Sequence, residues 1–292
     1  MRKIKEFAIE KSLLSSALIT IAVTIGIVLV LAVEAISFFK EVSLFDFLTD
    51  TQWTPLFTDK HYGILPLLSG TLLTSFIAIS VALPIGLTIS IYLSEYAPKS
   101  FRKTVKPALE LLAAVPTVVY GFFALIVVTP YLQQIIPNLS GFNSLSAGLV
   151  MGVMIIPFIS SISEDALQAV PKALREASYG MGATKLQTAF KVVVPAASSG
   201  IIVSIILAIS RAIGETMIVA VAAGQQPRLT FDPTVPVETI TAYIVQVSLG
   251  DVQHGSIEYR TIFAAGITLF VFTFLLNTLS YRIRKKYQEK YE

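Results

Sequence analysis

The segment Glu176-Ala177-Ser178-Tyr179-Gly180-Met181-Gly182, followed after nine residues by Val192-Val193-Val194-Pro195, is polar and basic. It lies between two long apolar runs, 145–165 and 197–222. Apolar runs of about 18 or more residues read as membrane helices, because roughly 20 residues at a rise of about 1.5 Å cross the hydrocarbon core. A regularly spaced polar loop held between two such runs offers a docking surface to something soluble. The ordinary alternative is a connecting loop with a chance Glu-Ala pair.

The same pattern extends outward from the loop. The chain has 292 residues, of which 54% are hydrophobic and 14% charged, and its mean hydropathy is +0.73. Soluble domains carry about 25% charged residues. These values predict an all-α polytopic membrane protein with six helices near 13–37, 66–93, 108–130, 145–165, 197–222 and 260–281. The first run is too long for a cleaved signal h-region and lacks an Ala-x-Ala ending, so it reads as a retained span. Pro84, Pro116 and Pro157 fall inside predicted spans and predict kinks there, since proline removes a backbone donor and clashes with the preceding turn.

Basic residues set the orientation. Of the 22 Lys and Arg, only Lys40, Lys60, Arg228 and Arg260 fall on one side, and Arg211 falls within a span. The rest flank the opposite ends: Arg2, Lys3, Lys5 and Lys11; Lys99, Arg102, Lys103 and Lys106; Lys172, Arg175, Lys185 and Lys191; Arg282, Arg284, Lys285, Lys286 and Lys290. Loops rich in Lys and Arg stay in the cytoplasm. Both termini and the Glu176 loop are therefore expected in the compartment that holds ATP, with the lipid bilayer as the chain's solvent. These clusters flank spans, so no nucleic-acid surface is predicted.

Other chemistries are excluded by composition. The chain has no cysteine, which rules out disulfides and thiolate-bound metal. His61 and His254 lack ligand-like neighbours, so no metal site is predicted. No Gly-x-x-x-x-Gly-Lys-Ser/Thr loop is present, so the chain is not expected to hydrolyse ATP. No nucleophile–base set appears either, and no catalytic residue is assigned.

Two outer segments stand apart. Residues 38–65 carry Phe45, Phe47, Trp53 and Phe57 among acidic residues, as expected of an interfacial segment whose rings lie at headgroup level. Residues 223–259 are rich in Gly, Pro and Thr, and Ile240, Ile244 and Val247 predict a short helix that folds back.

The run 197–222 contains Arg211 and Glu215. In a continuous helix they share one face with Ser204, Ala208, Val219 and Ala222, while Ile202, Ile206, Ile209 and Ile213 form the other. Each charge at a helix centre costs about 2.5–3.5 kcal/mol on insertion scales. One reading is an internal ion pair that fixes packing. The other is a substrate pathway of Arg211, Glu215 and Ser204, in which the guanidinium fork meets an anion.

The quoted loop has the spacing Glu-Ala-small, three residues, Gly, nine residues, apolar-x-apolar-Pro, and it resembles the EAA coupling loop of ABC importer permeases. Further segments narrow the likeness: Gly63-Ile-Leu-Pro-Leu-Leu-Ser-Gly-Thr-Leu-Leu-Thr-Ser75, Leu93-Ser-Glu-Tyr-Ala97, Val115-Pro-Thr-Val-Val-Tyr-Gly121 and Arg211-Ala-Ile-Gly-Glu-Thr-Met217. Together, from about Gly63 to Asn277, they resemble the PstC family of phosphate ABC importer permeases, among the binding-protein-dependent transport system inner membrane components. Ser178 stands where the loop pattern prefers Ala; both are small.

That resemblance implies a MetI-like type I permease bundle in a bacterial cytoplasmic (inner) membrane. The implied organisation is an N-terminal tail, first helix and interfacial segment over 1–65, a core over 66–282 with its coupling loop at 166–195, and a tail at 283–292. It implies a PstA-like second permease, two PstB-like ATPase subunits that carry the ATP and Mg, and a PstS-like phosphate-binding protein. The chain itself is then a non-catalytic subunit that passes inorganic phosphate and binds no cofactor. Glu176, Ala177, Ser178, Gly182 and Pro195 are the implied ATPase-coupling residues. Gly182 would make a turn at positive φ and Pro195 would start the fifth span. Alternatives that keep much of the pattern are a permease for molybdate, tungstate or sulfate, an ion-coupled carrier with Glu215 as proton relay, and a non-transporting membrane sensor.

Overall fold

The computed structural model describes residues 2–287. Lys290 and the rest of the expected tail at 288–292 lie outside the described residues. Most of the chain is helical, and among the described residues the only extended pairings are isolated bridges, Trp53 with Tyr62 and Gly224 with Val237.

Helix α1 (Arg2–Phe39) contains no proline, and its Ser and Thr hydroxyls turn back on the helix. Thr20 Oγ1 donates to Ser16 O at 2.9 Å and Thr24 Oγ1 to Thr20 O at 2.8 Å. These two hydroxyls are thereby satisfied within the helix itself. The short α2 (Leu44–Thr49) is capped by Ser43. Helix α3 (Leu65–Ile91) starts with Pro66 in its first turn, where the missing N–H costs nothing, and continues through a π-turn at Tyr92–Tyr96.

Helix α4 (Lys99–Ala114) buries no residue. It is followed by α5 (Thr117–Phe123), a π-turn at Ala124–Val128 and α6 (Thr129–Gln133). The expected span 108–130 is therefore not one straight helix, because the axis turns by 84° between α4 and α5. Pro116 is the cause. It disfavours the helical region for the preceding residue, and Val115 is extended at ψ 131°.

Helix α7 (Ser144–Ala169) is the central element, with Asn143 as its N-cap and Pro157 carried inside without a break. It lies along α3 with little between the backbones. A Cβ on Gly152 would stand 2.8 Å from Ala78 O, and one on Gly148 2.7 Å from Ile77 Cβ. Small residues at such crossings let membrane helices approach and gain dispersion contacts.

The polar loop forms α8 (Lys172–Gly180) and α9 (Lys185–Thr188), then a π-turn at Ala189–Val193 and α10 (Val194–Ala196). Helix α11 (Ser198–Ile213) leaves that axis by 72°. Pro195 thus sits before the corner at Ala197 and does not start the span. The expected run 197–222 also stops early. Gly214 caps α11, and the chain restarts as α12 (Met217–Ala222). The small face of that run is packing surface, with Ser204, Ala208, Val219 and Ala222 all buried.

The expected fold-back helix exists as α13 (Ile240–Leu249), and α14 (Ile257–Tyr287) closes the bundle against α1, α11 and α13. Arg260 clasps α1 to α14 through Glu41 at 2.7 Å and Glu34 at 3.8 Å. Among the described residues four helices are long and apolar enough to cross a membrane, or six spans if each bent pair counts as one.

The aromatic segment differs from its expectation. Phe45 and Phe57 are exposed, but Phe47 and Trp53 are buried with Phe38 and Tyr243 in an outer core, against which the half-buried Tyr62 packs. The Trp53 and Tyr243 rings meet edge to face at 5.0 Å. Stacking against α13 removes more apolar surface from water than lying at headgroup level would, so these rings are core and not anchors.

Candidate functional site

The loop between α7 and α11 is built to stay in one shape while showing its outer face. Helix α8 buries nothing, and Glu176 and Ala177 are exposed. Ser178 faces inward, its Oγ 2.9 Å from the buried Thr188 Oγ1. A larger side chain at 178 would push α8 off α9, which is why a small residue belongs there. Gly182 has φ +81°, a value side chains avoid, and its N–H donates to Tyr179 O at 2.9 Å. Thr184 and Gln187 then form a reciprocal capping box for α9.

Arg175 holds this unit to the bundle, a role its residue type alone did not suggest. Its guanidinium donates to Glu95 at 2.8 Å, to Val170 O at 2.7 Å and to Leu167 O at 2.8 Å. It thereby satisfies orphan carbonyls at the end of α7 and a nearly buried carboxylate at the end of α3. Replacing Arg175 with methionine is expected to raise amide hydrogen exchange through 172–190 while protection in α14 stays unchanged. Equal exchange across 172–190 in both proteins would refute the clasp. A second clasp ties α4 to α7, where the fully buried Glu164 carboxylate accepts from Lys106 at 2.8 Å and forms an ion pair with Arg102 at 2.9 Å. Beside these fixed points Met181 is 88% exposed, with Leu186 and Phe190 also in the open. These apolar side chains stand exposed on a loop that is otherwise polar and braced.

The second site is a cavity of about 300 Å³ lined by Ala113, Met154, Ile155, Phe158 and Arg211. Its walls are apolar apart from one half-exposed guanidinium. Glu215 does not share a helical face with Arg211, because α11 has already ended at Ile213. Its carboxylate is 4% exposed and accepts from Met217 N at 3.1 Å and Ile218 N at 3.4 Å. Glu215 therefore caps α12, where a negative charge suits the exposed N–H groups. The Arg211–Glu215 pair is long, at 3.9 Å. Ser204 is not in this cavity. It is fully buried, its Oγ 2.6 Å from Ser163 Oγ, and serves the contact between α7 and α11. Of the three pathway residues expected from sequence, only Arg211 lines the cavity. The apolar wall from α4 and α7 was missed, since only the bend at Pro116 brings Ala113 beside Arg211.

Comparison with known proteins places the chain among transporters. The model of the "Binding-protein-dependent transport system inner membrane component" family matches residues 82–289. The "Probable ABC transporter permease protein YqgH" of Bacillus subtilis is 37% identical, over 90% of this chain and 85% of its own length. The "Phosphate transport system permease protein PstC" of Mesorhizobium japonicum is 36% identical, over 81% of this chain and 77% of its own. Among solved structures, a bacterial alginate ABC transporter in complex with its pentasaccharide-bound periplasmic protein covers 87% of this chain and 88% of its own, with TM-score 0.59 at 19% identity. The inward-facing MetNI methionine transporter gives TM-score 0.57 at 21% identity, over 78% and 95% of the two chains. At these identities the structures speak for the fold alone.

Proposed function

The chain belongs to the binding-protein-dependent transport system inner membrane component family, and on that premise we propose that it is the PstC-like permease subunit of an ATP-driven phosphate importer. It is one half of the translocation pathway and carries no catalytic residue of its own. The observation that carries the reading is the state of Arg211. Its guanidinium opens into an apolar-walled cavity, while its nearest carboxylate is committed to capping α12. A cation left so weakly compensated inside a bilayer is costly unless an anion visits it, and the guanidinium fork fits a tetrahedral oxyanion.

In this reading the 172–190 surface sits in a groove of a PstB-like ATPase subunit, two copies of which bind the ATP and Mg. Closure of that pair moves α8, and the Arg175 clasp passes the motion to the ends of α3 and α7. A PstA-like chain supplies the other half of the path, and a PstS-like protein delivers phosphate from outside. Both termini lie in the cytoplasm of a bacterial cell whose inner membrane holds the complex, on the strength of the basic residues. An ion-coupled carrier with Glu215 as proton relay fits less well, because that carboxylate is buried and engaged. The test is co-expression with the three candidate partners. Expected are a complex that co-purifies with the ATPase and ATP-dependent uptake that requires the second permease. Full ATP-driven transport by a homodimer of this chain would overturn the heterodimeric arrangement.

A further inference from the structure

A second cavity lies at the opposite end of the molecule from the coupling loop, and neither Arg211 nor the loop touches it. It measures about 290 Å³ and is lined in part by Trp53, Gln226, Arg228, Glu238, Tyr243 and Gln246. These residues come from the segment after α2, the turn after α12 and α13. Glycines press the segments together. A Cβ on Gly70 would stand 2.2 Å from Glu238 O, and one on Gly63 2.1 Å from Asp50 O. Thr71 Oγ1 accepts from Ile240 N at 3.0 Å, and Thr239 caps α13. Glu238 is therefore held rigidly between α3 and α13.

Its surroundings leave Glu238 underused. The residue is 1% exposed, and its Oε1 has no hydrogen-bond partner. The indole Nε1 of Trp53, in the same wall, meets the Tyr243 hydroxyl without a well-formed hydrogen bond. A buried polar atom without a partner is destabilising, so one that lines a cavity needs a reason. Burial pushes the Glu238 carboxyl up to about 8, so at neutral pH it carries a proton and can donate. Arg228 adds a cation with no salt-bridge partner among the described residues. The wall thus presents a charged fork, an indole N–H, a carboxylic O–H and amide donors, with a net positive charge. That donor set suits an oxyanion and disfavours an amine.

We propose that this outer cavity is a tetrahedral-oxyanion site that holds inorganic phosphate at the mouth of the permease before it reaches Arg211. The proposal rests on the phosphate-importer reading for its ligand and for which side is outside. The site lets the permease accept phosphate released by a delivering protein without losing it to bulk solvent.

Trp53 is the chain's only tryptophan, so its emission reports this cavity directly. The experiment titrates the full-length chain in lipid nanodiscs with inorganic phosphate, without ATPase or binding protein, and follows Trp53 fluorescence alongside equilibrium binding of radiolabelled phosphate. Saturable binding is expected by both readouts. Arg228→Gln should weaken it by roughly tenfold to a hundredfold, the worth of a charged hydrogen bond. Glu238→Gln, which keeps a neutral donor of the same shape, should retain it, and Glu238→Leu should lose it. Absence of saturable binding, or equal affinity in Arg228→Gln, overturns the site. Phosphate uptake by the full complex, run in parallel, separates the two ideas. Uptake with no binding here removes only the cavity proposal. Sulfate or molybdate replacing phosphate in both assays removes the phosphate reading and leaves an oxyanion cavity.

Discussion

Arg211→Gln is expected to assemble normally with its partners and to lose phosphate flux by roughly tenfold to a hundredfold, the loss that follows from removing one charged hydrogen bond of about 1.5–3 kcal/mol. Assembly should survive because Glu215 does not depend on Arg211. The carboxylate is held by Met217 N and Ile218 N, and the ion pair is stretched to 3.9 Å. The reciprocal change is different. Glu215→Gln keeps an acceptor for those N–H groups, whereas an arginine at 215 removes the cap and leaves two buried donors unmet. A charge-swapped double mutant therefore fails for reasons of folding and says nothing about transport. The readouts are complex yield by size exclusion and uptake in proteoliposomes. Unchanged flux in Arg211→Gln with normal yield would take the guanidinium out of the substrate path.

Gly182→Pro is expected to insert into the membrane but to lose substrate-stimulated ATPase activity in the partner subunit. Proline holds φ near −65°, and Gly182 sits at φ +81°. Proline also removes the donor to Tyr179 O. The turn must then rebuild, which displaces the exposed Met181 and uncaps the start of α9. Glu176→Lys tests the same surface by charge, since an exposed acid offered to a basic partner groove becomes repulsive. Loss of co-purification or of coupled ATPase activity is the expected result for both. Normal values in both would remove the loop from the docking surface.

Hydropathy made the membrane fold legible, because lipid demands long apolar helices and leaves a signal in every span. Local geometry was legible where one residue type decides it. Gly182 makes the expected left-handed turn, and the spacing of Ile240, Ile244 and Val247 gives α13. The missed features are long-range or lie at helix breaks. A helical wheel assumes a continuous helix, so it put Arg211, Glu215 and Ser204 on one face. Gly214 ends that helix, and Ser204 turns to Ser163 on α7. Leu109, Leu111 and Leu112 merge in hydropathy with the run beyond Pro116, so the 84° bend was hidden although the proline was noted. The Arg175–Glu95 clasp and the Trp53–Tyr243 contact join distant segments. Nothing local in the sequence marks such pairs.

The most direct test of the central claim is uptake of radiolabelled phosphate by the reconstituted complex of this chain with its second permease, ATPase and binding protein. Sulfate and molybdate are offered in parallel, with and without ATP inside the vesicles. The account predicts phosphate accumulation that needs ATP and is lost in Arg211→Gln. ATP-driven accumulation of sulfate or molybdate in place of phosphate, or phosphate accumulation that proceeds without ATP, would contradict it.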